Sequence, residues 1–167
     1  NYVQAAVNGE TWIVSKEAYE KLTFTDRTVC PGPEVSGREL IGKTVTNPLT
    51  GTEVLVLPAG FVDPDNGSGA VMSVPAHAPY DYLALKDLYG KDLSEYGITE
   101  DLRNIKFISL IESPGYGELP AVEAVAELKV ADQNDPKAED ATKMVYRREF
   151  HNGLLKANTG KYAGIAV

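Results

Sequence analysis

A chain of 167 residues that is 43% hydrophobic and 24% charged is long enough to bury a core and too apolar for disorder. Its net charge of −8 excludes a tight grip on duplex phosphates by the chain alone, although it can still handle a nucleic-acid end presented by another domain. No apolar run is long enough to cross a bilayer, no signal peptide is expected, and the single Cys30 excludes an internal disulfide and fits a reducing compartment.

In chain order, Tyr2 to Val7 and Thr11 to Val14 are β-rich runs around Asn8-Gly9. That dipeptide suits a type I′ hairpin turn, with Glu10 extending the loop or starting the second strand. Ser15 is positioned to cap a short helix from Lys16 to Leu22. Thr23 to Gly37 reads as loop, broken by Pro31, Gly32 and Pro33, with Cys30 a loop residue. Lys43 to Thr46 and Glu53 to Leu57 read as a second strand pair. Asp63 to Gly67 is a turn cluster. Ile105 to Ile111 is an apolar strand, and Ser113 to Leu119 a loop. Pro120 opens a helix with Val122, Val125, Ala126 and Leu128 inward. Pro136 to Phe150 is a charged helix with Ala141, Met144, Val145 and Phe150 inward, stopped by Gly153. Leu154 to Lys156 and Tyr162 to Val167 read as returning strands. Six or seven short strands with interspersed helices predict one α+β domain over residues 1–167, its sheet mostly antiparallel or barrel-like.

The chemistry concentrates in Gly67-Ser-Gly-Ala-Val-Met-Ser-Val-Pro-Ala-His-Ala-Pro-Tyr-Asp81. Gly67 and Gly69 allow tight backbone geometry. Ala70 to Val74 has no helical period and predicts a buried strand, ended by Pro75. Pro79 suits the first position of a helix, whose inner face is Tyr82, Leu85, Leu88 and Tyr89. His77 and Asp81 therefore lie at a strand-to-helix junction.

Asp81 has two readings. It caps and complements the helix dipole, worth under about 1 kcal/mol, or it clamps a cationic ligand group. A helix N-terminus should lower its pKa, which suits a clamp for an ammonium and not a general base. His77 has the better intrinsic pKa for proton transfer, although a lone His before a helix is more often a cap or packing residue. A metal site of His77, Asp81 and His151 is the weaker alternative. Arg147-Arg148 reads as a solvated helix face or, less readily, an RNA-backbone contact. The sequence has no Gly-x-Ser-x-Gly elbow, Walker loop or Cys-x-x-Cys pair.

The stretch from Gly67 to Asp81, continued by Tyr-Leu-Ala-Leu-Lys-Asp-Leu88, resembles the editing-domain signature of class I aminoacyl-tRNA synthetases. Met72 fits the leucyl group, since isoleucyl enzymes typically show His there and valyl enzymes Lys. Ala138 to Gly164, with Tyr146-Arg-Arg-Glu-Phe-His-Asn-Gly153, is similar to the archaeal and eukaryotic leucyl type.

The resemblance implies a β-barrel-like editing domain with surrounding helices, inserted in a larger cytoplasmic synthetase. It also implies hydrolysis of isoleucine, norvaline or methionine misattached to the 3′ end of leucine tRNA. Asp81 then matches the aspartate that holds the α-ammonium. Met72 and Val74 match the amino-acid pocket, and Ser73, His77 and neighbouring backbone, including Gly69, match the wall near the terminal adenosine and the ester. Asp81 and His77 are thus the catalytic candidates, and Gly69, Met72, Ser73, Val74 and Asp81 the substrate-binding ones. No metal or cofactor is implied, and the partners are the tRNA end and the rest of the synthetase, with no membrane. The family's Thr-x-Arg-Pro-Glu-Thr-like strand should precede Asn1. Asn66 stands where bacterial relatives carry Tyr. The competing expectation is a catalytically incomplete piece that only folds or binds the tRNA end.

Overall fold

The computed structural model describes residues 1–167, which divide into two compact units. The first comprises Asn1–Met72 and Leu93–Thr99, the second Ser73–Asp92 and Glu100–Val167.

In the first unit, β1 (Tyr2–Val7) and β2 (Glu10–Ser15) form an antiparallel hairpin, from Tyr2 opposite Ser15 to Val7 opposite Glu10. Asn8 (φ 50°) and Gly9 (φ 87°) both take the left-handed conformation a type I′ turn requires, and Glu10 starts the second strand. β1 also pairs antiparallel with β3 (Val29–Cys30) and β4 (Glu34–Val35). These two short strands lie where a loop was expected, so Cys30 is an exposed strand residue opposite Ala6. Their pairing is long-range, and the Pro-rich sequence gives no local sign of it. Val3, Ala5 and Val7 face the core of this unit, packed by Trp12, Tyr19, Leu22 and Val29.

The predicted helix α1 (Lys16–Leu22) is capped as expected, the Ser15 hydroxyl accepting from Ala18 N–H at 3.0 Å. Glu17 in its first turn and Lys21 in its last complement the helix dipole. A one-turn helix α2 (Gly37–Leu40) follows, capped by Ser36. The second strand pair appears as β5 (Thr44–Thr46) and β6 (Glu53–Leu55), in antiparallel register.

In the second unit, three helices pack together. They are α3 (Pro79–Lys86), α4 (Pro120–Glu127) and α5 (Lys137–Glu149). Their shared core is Leu83, Ala124, Val125, Val130, Ala138, Ala141 and Val145, flanked by Tyr80, Tyr82, Tyr116 and Leu128. The alanines on α4 and α5 let the backbones approach closely, while Leu83 fills the space between. The short pair β7 (Ile111–Glu112) and β8 (Leu154–Leu155) is antiparallel.

The architecture is mixed helix and sheet, with hydrogen bonding grouping the strands into one four-stranded and two two-stranded sheets. Several sequence expectations are corrected. Ala70 to Val74 lies outside any strand, and Val71, Met72 and Val74 are exposed, because no segment of the chain supplies a ladder for their backbone. Only Ile111 of the run Ile105 to Ile111 enters a strand. Tyr162 to Val167 is not a strand. A 3₁₀ turn over Ala157–Tyr162 precedes irregular chain that makes one bridge, Ala166 to Leu154. Phe150 is 64% exposed, since α5 ends at Glu149 and the backbone leaves the helix at Phe150. The buried faces also shift. On α3 and in the turn that follows it, Leu83 and Ala84 join Leu85 and Leu88 inside, with Tyr82 and Tyr89 half-buried. On α4, Ala121 and Ala124 join Val125 inside, and Ala126 is exposed.

Candidate functional site

The turn that opens the signature is anchored within the first unit. Ser15 N–H donates to Ser68 C=O at 2.8 Å, the Ser15 hydroxyl donates to Pro64 C=O at 2.6 Å, and the Tyr2 hydroxyl donates to Gly69 C=O at 2.7 Å. Gly67 (φ 59°) and Gly69 (φ 72°) are both left-handed. A Cβ on Gly69 would lie 2.6 Å from the Ser15 Cβ, so this glycine is required by close approach as well as by φ. Met72, in the same unit, is 52% exposed.

In the second unit, Pro79 opens α3 and Asp81 falls in its first turn, as the sequence predicts. Asp81 is 6% exposed, and its Oδ2 accepts from the Val74 N–H at 2.6 Å. The Val74 carbonyl accepts from the N–H groups of both His77 and Ala78, each at 3.0 Å. Val74 is therefore held from both sides of its backbone while its side chain stays exposed. Ser73 beside it is exposed too.

The electrostatics of Asp81 differ from the sequence expectation. Burial raises its pKa above the usual carboxylate value, and the Val74 hydrogen bond offsets this only in part. The helix N-terminus was expected to lower it. Desolvation wins because the carboxylate lies inside the unit and not at its surface.

His77 is 7% exposed, and both ring nitrogens are engaged. Nε2 accepts from the Leu110 N–H at 3.0 Å, with Ile111 N and the Ser109 hydroxyl at 3.4 Å. Nε2 thus carries the lone pair and the proton sits on Nδ1, which donates to Glu149 Oε1 at 2.7 Å. The Ser113 hydroxyl donates to the same oxygen at 2.6 Å. Glu149, 5% exposed, is a site residue that sequence reading missed. The signal was present. Ala138, Ala141, Val145 and Glu149 fall at helical spacing on the inward stripe of α5, so a carboxylate had to be buried there.

His151 is exposed, with φ 132°, and its ring meets Phe150 edge to face at 4.9 Å. It does not join His77 and Asp81 in a metal-binding group. Arg148 is half-buried and not a free surface charge. It donates to Gly115 C=O at 3.1 Å and lies 4.3 Å over the Tyr116 ring. A separate open groove of the second unit is lined by Tyr116, Glu118, Leu155, Lys156 and Gly164 among others, and by none of the candidate residues.

Among solved structures, the chain superimposes on the crystal structure of GlLeuRS-CP1 with a TM-score of 0.83 at 28% identity, covering 99% of this chain and 65% of that one. It matches the P. falciparum cytosolic leucyl-tRNA synthetase editing domain with a TM-score of 0.85 at 17% identity, covering 99% and 63%. The fold is that of a synthetase editing domain. In sequence, residues 31–91 match the family described as leucyl-tRNA synthetase, editing domain. A leucine–tRNA ligase of Methanothrix thermoacetophila is 71% identical over 163 residues, 98% of this chain and 17% of that relative. The chain belongs to the leucyl-tRNA synthetase editing-domain family and spans about a sixth of the length of the curated relatives it matches. No helix is long and apolar enough to cross a membrane.

Proposed function

We propose that residues 1–167 form one editing domain of a longer, cytoplasmic leucyl-tRNA synthetase, and that it hydrolyses the ester of leucine tRNA carrying isoleucine, norvaline or methionine. The observation that carries this reading is the state of Asp81. Its carboxylate is buried, and one backbone donor does not outweigh the desolvation it suffers. A buried charge left undercompensated is relieved by a cation, and the α-ammonium of an aminoacyl ester is a cation of the right size. In this role Asp81 orients the ester by its ammonium, and water attacks the carbonyl with help from the free ribose hydroxyl. Within the second unit, Val74 offers exposed apolar surface to the amino-acid side chain and the exposed Ser73 a polar edge to the adenosine. His77 acts by holding backbone in place, since both its nitrogens already serve hydrogen bonds.

A second reading, in which the chain folds and holds the tRNA end without hydrolysing it, is favoured by the exposure of Val71, Met72 and Val74. In the first reading those exposed side chains are covered by substrate or by other parts of the longer synthetase, and the strands belong to a barrel-like sheet. Deacylation of isoleucyl-tRNA by the 167-residue chain, compared with a chain extended upstream, separates the two. Hydrolysis by the extended chain supports editing. Binding of the tRNA end with no hydrolysis by either supports the second reading.

A further inference from the structure

Glu149 carries two penalties that packing alone would avoid. It is a carboxylate in the last turn of a helix, where the dipole disfavours negative charge, and it is buried. Two donors converge on its Oε1, the Ser113 hydroxyl and the His77 Nδ1–H. An acceptor here decides the tautomer of His77. With the proton drawn to Nδ1, Nε2 is free to accept the Leu110 N–H, whereas the opposite tautomer would set N–H against N–H.

The consequences run to Asp81 through consecutive hydrogen bonds. His77 N–H holds the Val74 carbonyl at 3.0 Å, and Val74 N–H holds Asp81 Oδ2 at 2.6 Å. The Ala76 carbonyl in the same turn accepts from Ala121 N–H at 3.0 Å, which fixes the turn to α4. Every member of this chain belongs to the second unit.

We propose that Glu149 is a positioning residue for editing: by fixing the His77 tautomer it sets the Val74 backbone that orients the Asp81 carboxylate. This rests on the proposed role of Asp81. Glu149→Gln keeps the shape but replaces a charged acceptor by an amide that can present either oxygen or nitrogen to His77. Loss of charge assistance and of the tautomer constraint lowers the kcat for isoleucyl-tRNA deacylation about tenfold, with KM changed by less than about twofold.

The test uses the full-length synthetase with Glu149→Gln, Asp81→Asn and the double variant, and exposed Glu118→Gln as the control. If Glu149 acts through Asp81, the double variant deacylates within about twofold of Asp81→Asn alone. Wild-type kcat in Glu149→Gln, or losses that multiply in the double variant, overturns the proposal while leaving the role of Asp81 standing. Wild-type deacylation by Asp81→Asn itself overturns the functional reading beneath it. If Glu149→Gln does not fold, Ser113→Ala removes one of the two donors and is read in its place, with a kcat loss of about threefold expected and an unchanged kcat overturning the proposal.

Discussion

Asp81→Asn separates what Asp81 does for stability from what it does for substrate. The amide oxygen can still accept the Val74 N–H that Oδ2 accepts at 2.6 Å. Burial raises the Asp81 pKa above its value of 3.8 in a free carboxyl, so the folded chain holds the proton longer than the unfolded one. The stability contributed by the protonated form is full below that value and is lost as pH rises through the folded pKa. The asparagine never ionises, so the variant unfolds at the same or higher temperature than wild type at neutral pH and lacks this loss on raising the pH. Substrate tells the opposite story. An ammonium about 4 Å from a carboxylate at an effective dielectric near 20 gains about 4 kcal/mol, of which a neutral hydrogen bond retains about 1. The remaining 3 kcal/mol or so corresponds to a loss of about 10²-fold in kcat/KM for isoleucyl-tRNA deacylation. Thermal unfolding from pH 3 to 8 and deacylation kinetics in the full-length synthetase, with leucine activation as the reference, measure both on one variant. Unchanged deacylation, or a destabilisation at neutral pH that accounts for the lost activity, would refute the reasoning.

Gly69→Ala combines a left-handed φ of 72° with a Cβ placed 2.6 Å from that of Ser15, and neither backbone nor Cβ can give way cheaply. It should cost more than about 2 kcal/mol in denaturant unfolding, and a near-neutral result would show that the turn relaxes. Ser15→Ala removes the cap of α1 together with the hydroxyl bond to Pro64 C=O, in a residue that is 1% exposed. A loss of about 1–3 kcal/mol is expected, with the midpoint shifted and the slope unchanged.

What the sequence made legible was local. Asn8-Gly9 specifies its turn because both residues tolerate left-handed backbone, Ser15 caps the adjacent helix, and Pro79 and Pro120 each open one. What it hid depends on distant partners. β3 and β4 are two-residue strands recognisable only by their pairing with β1. Ala70 to Val74 has the composition of a buried strand, but composition does not supply a neighbour, and the Val74 N–H goes to Asp81 instead. At Leu110 the imidazole of His77 takes the place of a strand partner, so an apolar run that reads as sheet stays irregular until Ile111. The position of Asp81 in its helix was legible, but the sign of its pKa shift was not, because burial is set by tertiary packing and the dipole by local order.

Editing in the manner proposed requires that Asp81 receive a cation. A carboxyl ¹³C titration of Asp81, with and without a non-hydrolysable aminoacyl-adenosine analogue, tests this directly. Without ligand the pKa should stand above 3.8, and the bound ammonium should bring it down. A pKa that stays unchanged or rises while the analogue is bound would contradict the role assigned to this carboxylate.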